Sequence, residues 1–190
     1  MNVIAKVPVM TMEELLAMPD DGIERWLLRG RLWERPMTYR NRWHAWLEAQ
    51  IAYLLKKWLM QQPEPRGQVL SGEAGCRLRR NPDTVVGIDV VYISAELAAH
   101  EPADTTLIDG VPVLAVEILS PSDKEEEINA KVDEYLRAGV ALVWLVDPHF
   151  RTVRVHRPGA EPELFNVHQE LTGEPHLPGF RVRVAEIFGR

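Results

Sequence analysis

A single cysteine, Cys76, stands in the 190 residues. No internal disulfide can form, which suits a reducing compartment, and the cytoplasm is the expected location. Long hydrophobic runs are missing too: no stretch approaches the roughly 18 apolar residues of a membrane span. The opening MNVIAKVPVM has too short an apolar stretch for a secretory signal, so the chain is expected to work away from membranes. Basic charge is in deficit, with 22 Lys and Arg against 28 Asp and Glu and a net charge of -6, which argues against a chain-wide basic surface for nucleic acid. There is no internal repeat, low-complexity linker, helix-turn-helix or zinc module. What is present is 46% hydrophobic residues, enough to bury one good core, so residues 1-190 are expected to form one domain.

The most informative stretch is VLAVEILSPSDKEEEINAK, Val113 to Lys131. Val113 to Leu119 is an apolar run of strand length broken only by Glu117. A buried carboxylate without a partner costs several kcal/mol or more, roughly, so Glu117 calls for a cation, a metal or hydrogen-bond donors. Ser122 with Glu125 fits a capping box and Gly139 fits a helix stop, which predicts a helix over roughly residues 123-138. Ile128, Val132, Tyr135 and Leu136 form its packing stripe. Lys131 lies at the edge of that stripe, with a stem long enough to deliver its ammonium to Glu117. Val140 to Val146 follows as a second apolar run, so strand, helix and strand form a right-handed βαβ unit with parallel strands.

Elsewhere, Thr11 and Glu14 predict a capped short helix, and residues 24-28 and 31-34 around Gly30 a hairpin. Asn41 to Met60 is a long amphipathic helix through Leu47, Ile51, Leu54, Leu55 and Trp58, ended by Pro63 and Pro65. Val69 to Leu78 reads as a strand, 79-87 as a turn-rich connection and Ile88 to Ile93 as a further strand. Residues 98-111 read as a loop. Residues 152-156 and 163-167 suggest a closing hairpin, and the tail through Phe188 packs back on the core.

The Ile88 to Ile93 strand also carries one acid, Asp89, in phase with Val91 and Ile93, while Glu117 is in phase with Val113 and Ala115. If the strands are neighbours with those faces together, the two carboxylates converge. Two such oxygens and a backbone carbonyl suit Mg²⁺ or Mn²⁺, which can lower the pKa of a bound water and neutralise charge growing on a phosphate. Lys131 can hold the water or stabilise the transition state. The chemistry that follows is hydrolysis of a phosphodiester.

At these residues the sequence resembles the Uma-type family of restriction endonucleases, a branch of the PD-(D/E)XK nuclease superfamily. The resemblance rests on residues 26-32, on His44 opening the long helix, on Gly72-Glu73-Ala74-Gly75 and Gly87 to Ile93, on Val116 to Ser122, on Lys131 with Tyr135, and on Gly139 through Trp144 to Pro148. It implies an α/β (α+β) fold with a central mixed β-sheet flanked by helices. Asp89 and Glu117 become metal ligands, with the carbonyl of Ile118 as a third. The lysine expected two residues after the glutamate is replaced by Leu119, and Lys131 on the next helix takes its role.

Two departures matter. Ile88 stands where a proline usually precedes the first acid, and Pro82-Asp83 lies upstream, so Asp83 is a rival ligand that sits in turn chemistry rather than in a strand. Trp26 stands where the family often has a glutamate, and Glu24 shares its face and can substitute. Structural alternatives exist for each residue: Lys131 could pair with Glu127 or Glu134 on its own helix, His44 could cap or pack, and Cys76 could be a small apolar side chain. Arg25 to Arg42 holds six arginines and one glutamate among Trp26, Trp33 and Tyr39, which reads equally as a phosphate-contacting strip or as a hairpin with tryptophans turned inward. The expected activity is a metal-dependent endonuclease, most simply on double-stranded DNA and in a homodimer, since two strands need two cuts. The competing expectation is a nuclease fold without activity that binds nucleic acid or another partner, and RNA or branched DNA is the alternative substrate.

Overall fold

The computed structural model describes residues 9-37, 41-100, 105-121 and 123-189. In chain order these form α1 (Met12–Leu16), β1 (Ile23–Leu28), β2 (Arg31–Pro36), α2 (Arg42–Leu59), β3 (Gln68–Arg79), β4 (Thr84–Ile93), α3 (Ala95–His100) and β5 (Leu114–Ile118). They continue with α4 (Glu125–Ala138), β6 (Leu142–Asp147), β7 (Thr152–His156), β8 (Glu163–Asn166), β9 (Glu170–Gly173), β10 (Leu177–Arg183) and α5 (Val184–Ile187). The sheet order is β2-β1-β4-β5-β6-β7-β8, with β3 paired to β4, and β9 and β10 form a separate ribbon. β5 and β6 run parallel and the other neighbours antiparallel, so the sheet is mixed.

Strand periodicity sets which side chains meet which helix. Along β6, Leu142, Trp144 and Val146 join the core under α2, α5 and the ribbon, while Val143 and Leu145 join the core under α4. β5 divides likewise, with Leu114, Val116 and Ile118 on the first side and Ala115 on the second. Glu117, in phase with Ala115, is thereby turned toward α4. The βαβ unit over β5, α4 and β6 is present as expected. Gly139 ends α4 in the left-handed region at φ 102, and its amide closes on the carbonyls of Leu136 and Tyr135. Nothing lies within 4 Å of a Cβ built there. The cost of Gly139→Ala is therefore purely conformational, and urea unfolding should show a loss of about 1 kcal/mol with an unchanged m value.

Several boundaries differ from the sequence reading. α4 begins at Glu125, preceded by Lys124 with no side-chain cap, and the expected cap at Ser122 lies outside the described residues. Asp123 is instead drawn to the Ser120 amide and to Arg35. The connection after β3 is shorter than 79-87, because the β-branched run Thr84-Val85-Val86 extends β4 at its start. Residues 98-111 are not wholly a loop: α3 runs to His100, and Ile108 forms a parallel bridge with Cys76. The tail does return to the core through Phe180, Val182, Ile187 and Phe188, but by way of the ribbon.

β4 determines where a site can form. β3 covers one edge of it from Thr84 to Ile93, while the other edge is shared, β1 pairing at Val85 and β5 at Val90 to Tyr92. Between those two partners, Val86 to Asp89 face a fork in the sheet. Opposite Asp89, β3 carries a bulge: Ser71 pairs with Val90 and Ala74 with Ile88, so Gly72 and Glu73 oppose one residue. Both bulge residues have positive φ, 92 at Gly72 and 57 at Glu73. The phase of β4 changes at the same place, since Val86 and Ile88 lie in the same core as Val91 and Ile93 while Val90 lies in the other.

Candidate active site

The fork brings Asp89 and Glu117 into one narrow recess of about 20 Å³, the room of a single water or small ion. Asp89 is 4% exposed and Glu117 7%. The Ile118 amide donates to Asp89 Oδ2 at 2.7 Å, and His44 Nε2 lies 3.1 Å from Asp89 Oδ1. Glu117 has two partners from α4. Lys131 Nζ donates to its Oε2 at 3.2 Å and its Oε1 at 3.3 Å, and the Tyr135 hydroxyl donates to Oε1. Lys131 also reaches the carbonyl of Gly87 at 3.3 Å, inside the fork, and sits 5.9 Å from the Trp26 ring centroid.

Burial is the largest influence on Glu117 and raises its pKa; the Lys131 ammonium opposes this and the Asp89 charge adds to it. Tyr135 is pushed well above the usual phenol range, by burial first and then by the Glu117 carboxylate it serves. Deprotonating Tyr135 would place a further negative charge beside the Glu117 carboxylate in the same dry space, so the hydroxyl stays a donor.

The rival acids are occupied elsewhere. Asp83 accepts from the Met12 amide at 2.8 Å and the Asn81 amide at 3.3 Å, which fastens α1 to the turn before β4, and it does not line the recess. Glu24 does line it, but Arg35 holds both its oxygens at 2.7 and 3.0 Å. Lys131 is not engaged along its own helix: Glu127 pairs with Lys124 at 2.9 Å and Glu134 with Arg29 at 2.7 Å.

Of the five arginines of the strip among the described residues, three are paired with acids. Arg25 pairs with Asp21 and Glu34, Arg29 with Glu134, and Arg35 with Glu24 and Asp123. Trp26 is buried and stacks on Trp33 with centroids 6.2 Å apart, which is the inward arrangement of the two readings. Tyr39 and Arg40 lie outside the described residues.

The recess suits a cation. Six carboxylates, of Glu24, Glu73, Asp89, Glu117, Asp123 and Glu127, line it against two cations, Arg35 and Lys131. Asp89 and Glu117 are the buried pair among them, and two buried carboxylates side by side repel until a positive charge lies between them. Hard oxygen donors of this kind match Mg²⁺ or Mn²⁺, and Asp89, Glu117 and Ile118 all line the recess.

Some contributors escaped sequence reasoning. Tyr135 reads as packing and proves to be a donor to Glu117. Glu73 lines the recess because of the bulge; its Oε2 lies 2.8 Å from where a Cβ on Gly87 would be, so Gly87 is the residue that leaves it room. Glu48 approaches from α2: its carboxylate, a His44 nitrogen and an Asp89 oxygen all lie within 4.8 Å of one another. The i, i+4 spacing of His44 and Glu48 was the available signal.

A profile of the Uma2 family, described as "putative restriction endonuclease", matches residues 12-185. The chain belongs to the Uma2 family. No curated protein gives a significant match. Among solved structures, a "putative nuclease belonging to DUF820" from Anabaena variabilis superposes with a TM-score of 0.77 at 19% identity, covering 94% of this chain and 97% of that one. At that identity the likeness speaks for the fold, and the central mixed sheet flanked by helices is shared. Family membership makes this Uma2 chain a candidate nuclease whose substrate is a nucleic acid. No helix among the described residues is long and apolar enough to cross a membrane.

Proposed function

We propose that this Uma2 protein is a divalent-metal-dependent endonuclease that hydrolyses phosphodiesters of double-stranded DNA, with Asp89, Glu117 and the Ile118 carbonyl as ligands and Lys131 as the catalytic cation. The observation that carries the reading is the meeting of Asp89 and Glu117 in one ion-sized, acid-rich recess with Lys131 Nζ 3.2 Å from Glu117. A Mg²⁺ or Mn²⁺ ion bound there supplies Lewis acidity toward a phosphate oxygen and a water of lowered pKa. The chain's own groups do the rest. The Ile118 amide fixes Asp89, and Tyr135 with Lys131 fixes Glu117, so neither carboxylate has to reorganise when charge develops. Lys131, screened by Trp26, faces the same space and stabilises charge on the phosphate oxygens as the water attacks. The buried thiol of Cys76 fits cytoplasmic work, and a homodimer would bring two such centres to the two strands.

The test is cleavage of supercoiled plasmid and labelled oligonucleotides by the purified chain with Mg²⁺, Mn²⁺ or EDTA. Nicking or linearisation with metal, absent in EDTA and in Glu117→Gln, is the expected result. Tight DNA binding with no cleavage on any DNA, RNA or branched substrate would favour instead a nuclease fold retained as a binding module.

A further inference from the structure

Trp26, Trp58 and Trp144 are buried, but Trp43 and Trp46 on α2 stand 39% and 38% exposed. Their indoles stack face to face, with centroids 4.9 Å apart and planes within 10° of parallel. Trp46 is seated against the tail, since its ring carbon Cη2 lies 2.6 Å from where a Cβ on Gly189 would be. Trp43 therefore rests on a braced partner. It also lines a cavity of about 440 Å³ whose other walls are Asn41, the chain leaving β5 at residues 119-121, and the turn after β6 at Pro148 and His149. Phe150, exposed like the tryptophans, meets the His149 ring edge to face at 4.7 Å and extends the aromatic surface.

The cavity is continuous with the acid recess along both walls. Trp43 directly precedes His44, which meets Asp89, and Leu119 directly follows Ile118, whose amide holds Asp89. Consecutive Cα atoms are about 3.8 Å apart, so each wall begins one residue from the recess. A phosphate held at the recess would thus have a base of the same strand beside Trp43. The charges agree: the first turn of α2 carries no acid, Arg42 is exposed there, and the positive end of the helix dipole favours a phosphate. Asp147, the acid that lines the cavity, is engaged within its own turn by the amides of His149 and Phe150. A flat aromatic face with polar groups near its rim matches a nucleobase, which offers a π-face to indole and polar edges to Asn41, Ser120 and His149. A base inside a duplex has both faces covered by its neighbours, so only one out of the stack can enter.

We propose that this cavity receives one unpaired base of the strand being cut, stacked on Trp43, and that the protein thereby favours DNA with an unpaired nucleotide beside the point of cleavage. The inference rests on the nuclease reading for the strand's place in the recess. Stacking itself requires no cleavage, so the two can fail separately.

The test uses the full chain and a DNA duplex carrying one unpaired 2-aminopurine nucleotide, a base analogue whose emission is quenched by stacking, beside the same duplex fully paired. Ca²⁺ replaces Mg²⁺ so that binding is read apart from cleavage. The wild type is expected to quench the unpaired analogue and to bind that duplex about tenfold more tightly than the paired one, because the cost of unstacking is already met. Trp43→Ala should lose the quenching and about tenfold in affinity for the bulged duplex, leaving the paired duplex unchanged. Trp43→Phe, which keeps a smaller aromatic face, should retain most of both effects. Quenching and affinity that survive Trp43→Ala, an equal loss on both duplexes, or no binding of the bulged duplex would overturn the proposal. A dimer that dissociates in Trp43→Ala while bulge affinity is unchanged would make the tryptophans an interface between copies and overturn it too. Cleavage of paired DNA with no preference for the bulge, in wild type and Trp43→Ala alike, would overturn the cavity and leave the nuclease reading standing. Trp43-dependent quenching by a chain that cuts no nucleic acid would support the cavity and remove that reading.

Discussion

Asp89→Asn is expected to reduce metal-dependent cleavage by about 10³-fold while the chain remains folded. The size of the effect follows from position: Asp89 is the acid at the end of the fork, joined to β5 through the Ile118 amide and to α2 through His44. Asparagine keeps the shape and removes the charge. Its carbonyl can still accept from Ile118, leaving its amide against His44 Nε2, which must then accept and send its proton to the buried Nδ1. That nitrogen has no partner among the described residues, so the structural cost should be about 1-2 kcal/mol. Alanine would strand the Ile118 amide and His44 together, at about 1-3 kcal/mol for each unpaired group, and would confuse lost activity with lost fold. Cleavage rates alongside urea midpoints of the two variants separate these effects. Retention of cleavage within a few-fold in Asp89→Asn would remove Asp89 from the site.

How far the site was legible depends on whether its geometry is local. Glu117 and Lys131 are 14 residues apart across one strand and one helix, both with strong periodicity, and their contact follows from a strand phase and a helix stripe. Asp89 could be placed beside Glu117 only on the condition that β4 and β5 are neighbours, which the sequence does not state. Its links to α2 were invisible for a stronger reason. His44 and Asp89 are 45 positions apart, and the bulge at Gly72 and Glu73 changes phase opposite Asp89, where simple alternation stops predicting facing. The arginine strip shows the same limit from the other side. Asp21 and Glu34 are near Arg25 in sequence, but Glu134 and Asp123, which neutralise Arg29 and Arg35, come from α4 and the turn before it. Composition alone leaves such a strip looking basic, and only the fold brings its counter-charges.

Lys131→Met is the substitution with the second largest expected consequence, and it acts on rate and on pH dependence together. Methionine keeps the apolar stem against Trp26 and α4 but withdraws the charge that opposes burial at Glu117. Cleavage should fall by about 10²- to 10³-fold, the range seen when one preorganised donor is removed from a transition state. The stability effect has a definite sign. Burial already raises the folded-state pKa of Glu117 above the ordinary glutamate value, and without Lys131 it rises further. Below that ordinary value the carboxyl is protonated in both folded and unfolded chains, and the variant should unfold at nearly the wild-type urea midpoint. As pH rises above it, the unfolded chain releases the proton while the folded chain keeps it. Stability then declines until the folded pKa is passed, by about 1.4 kcal/mol for each unit by which the two pKa values differ. The wild type should show the same decline over a narrower window, because Lys131 and Tyr135 hold its carboxylate ionised to lower pH. Urea midpoints between pH 4 and pH 8 in EDTA would show the two curves diverging as pH increases. Parallel curves would mean that Lys131 does not govern the charge of Glu117, and the ammonium would lose its place in the proposed chemistry.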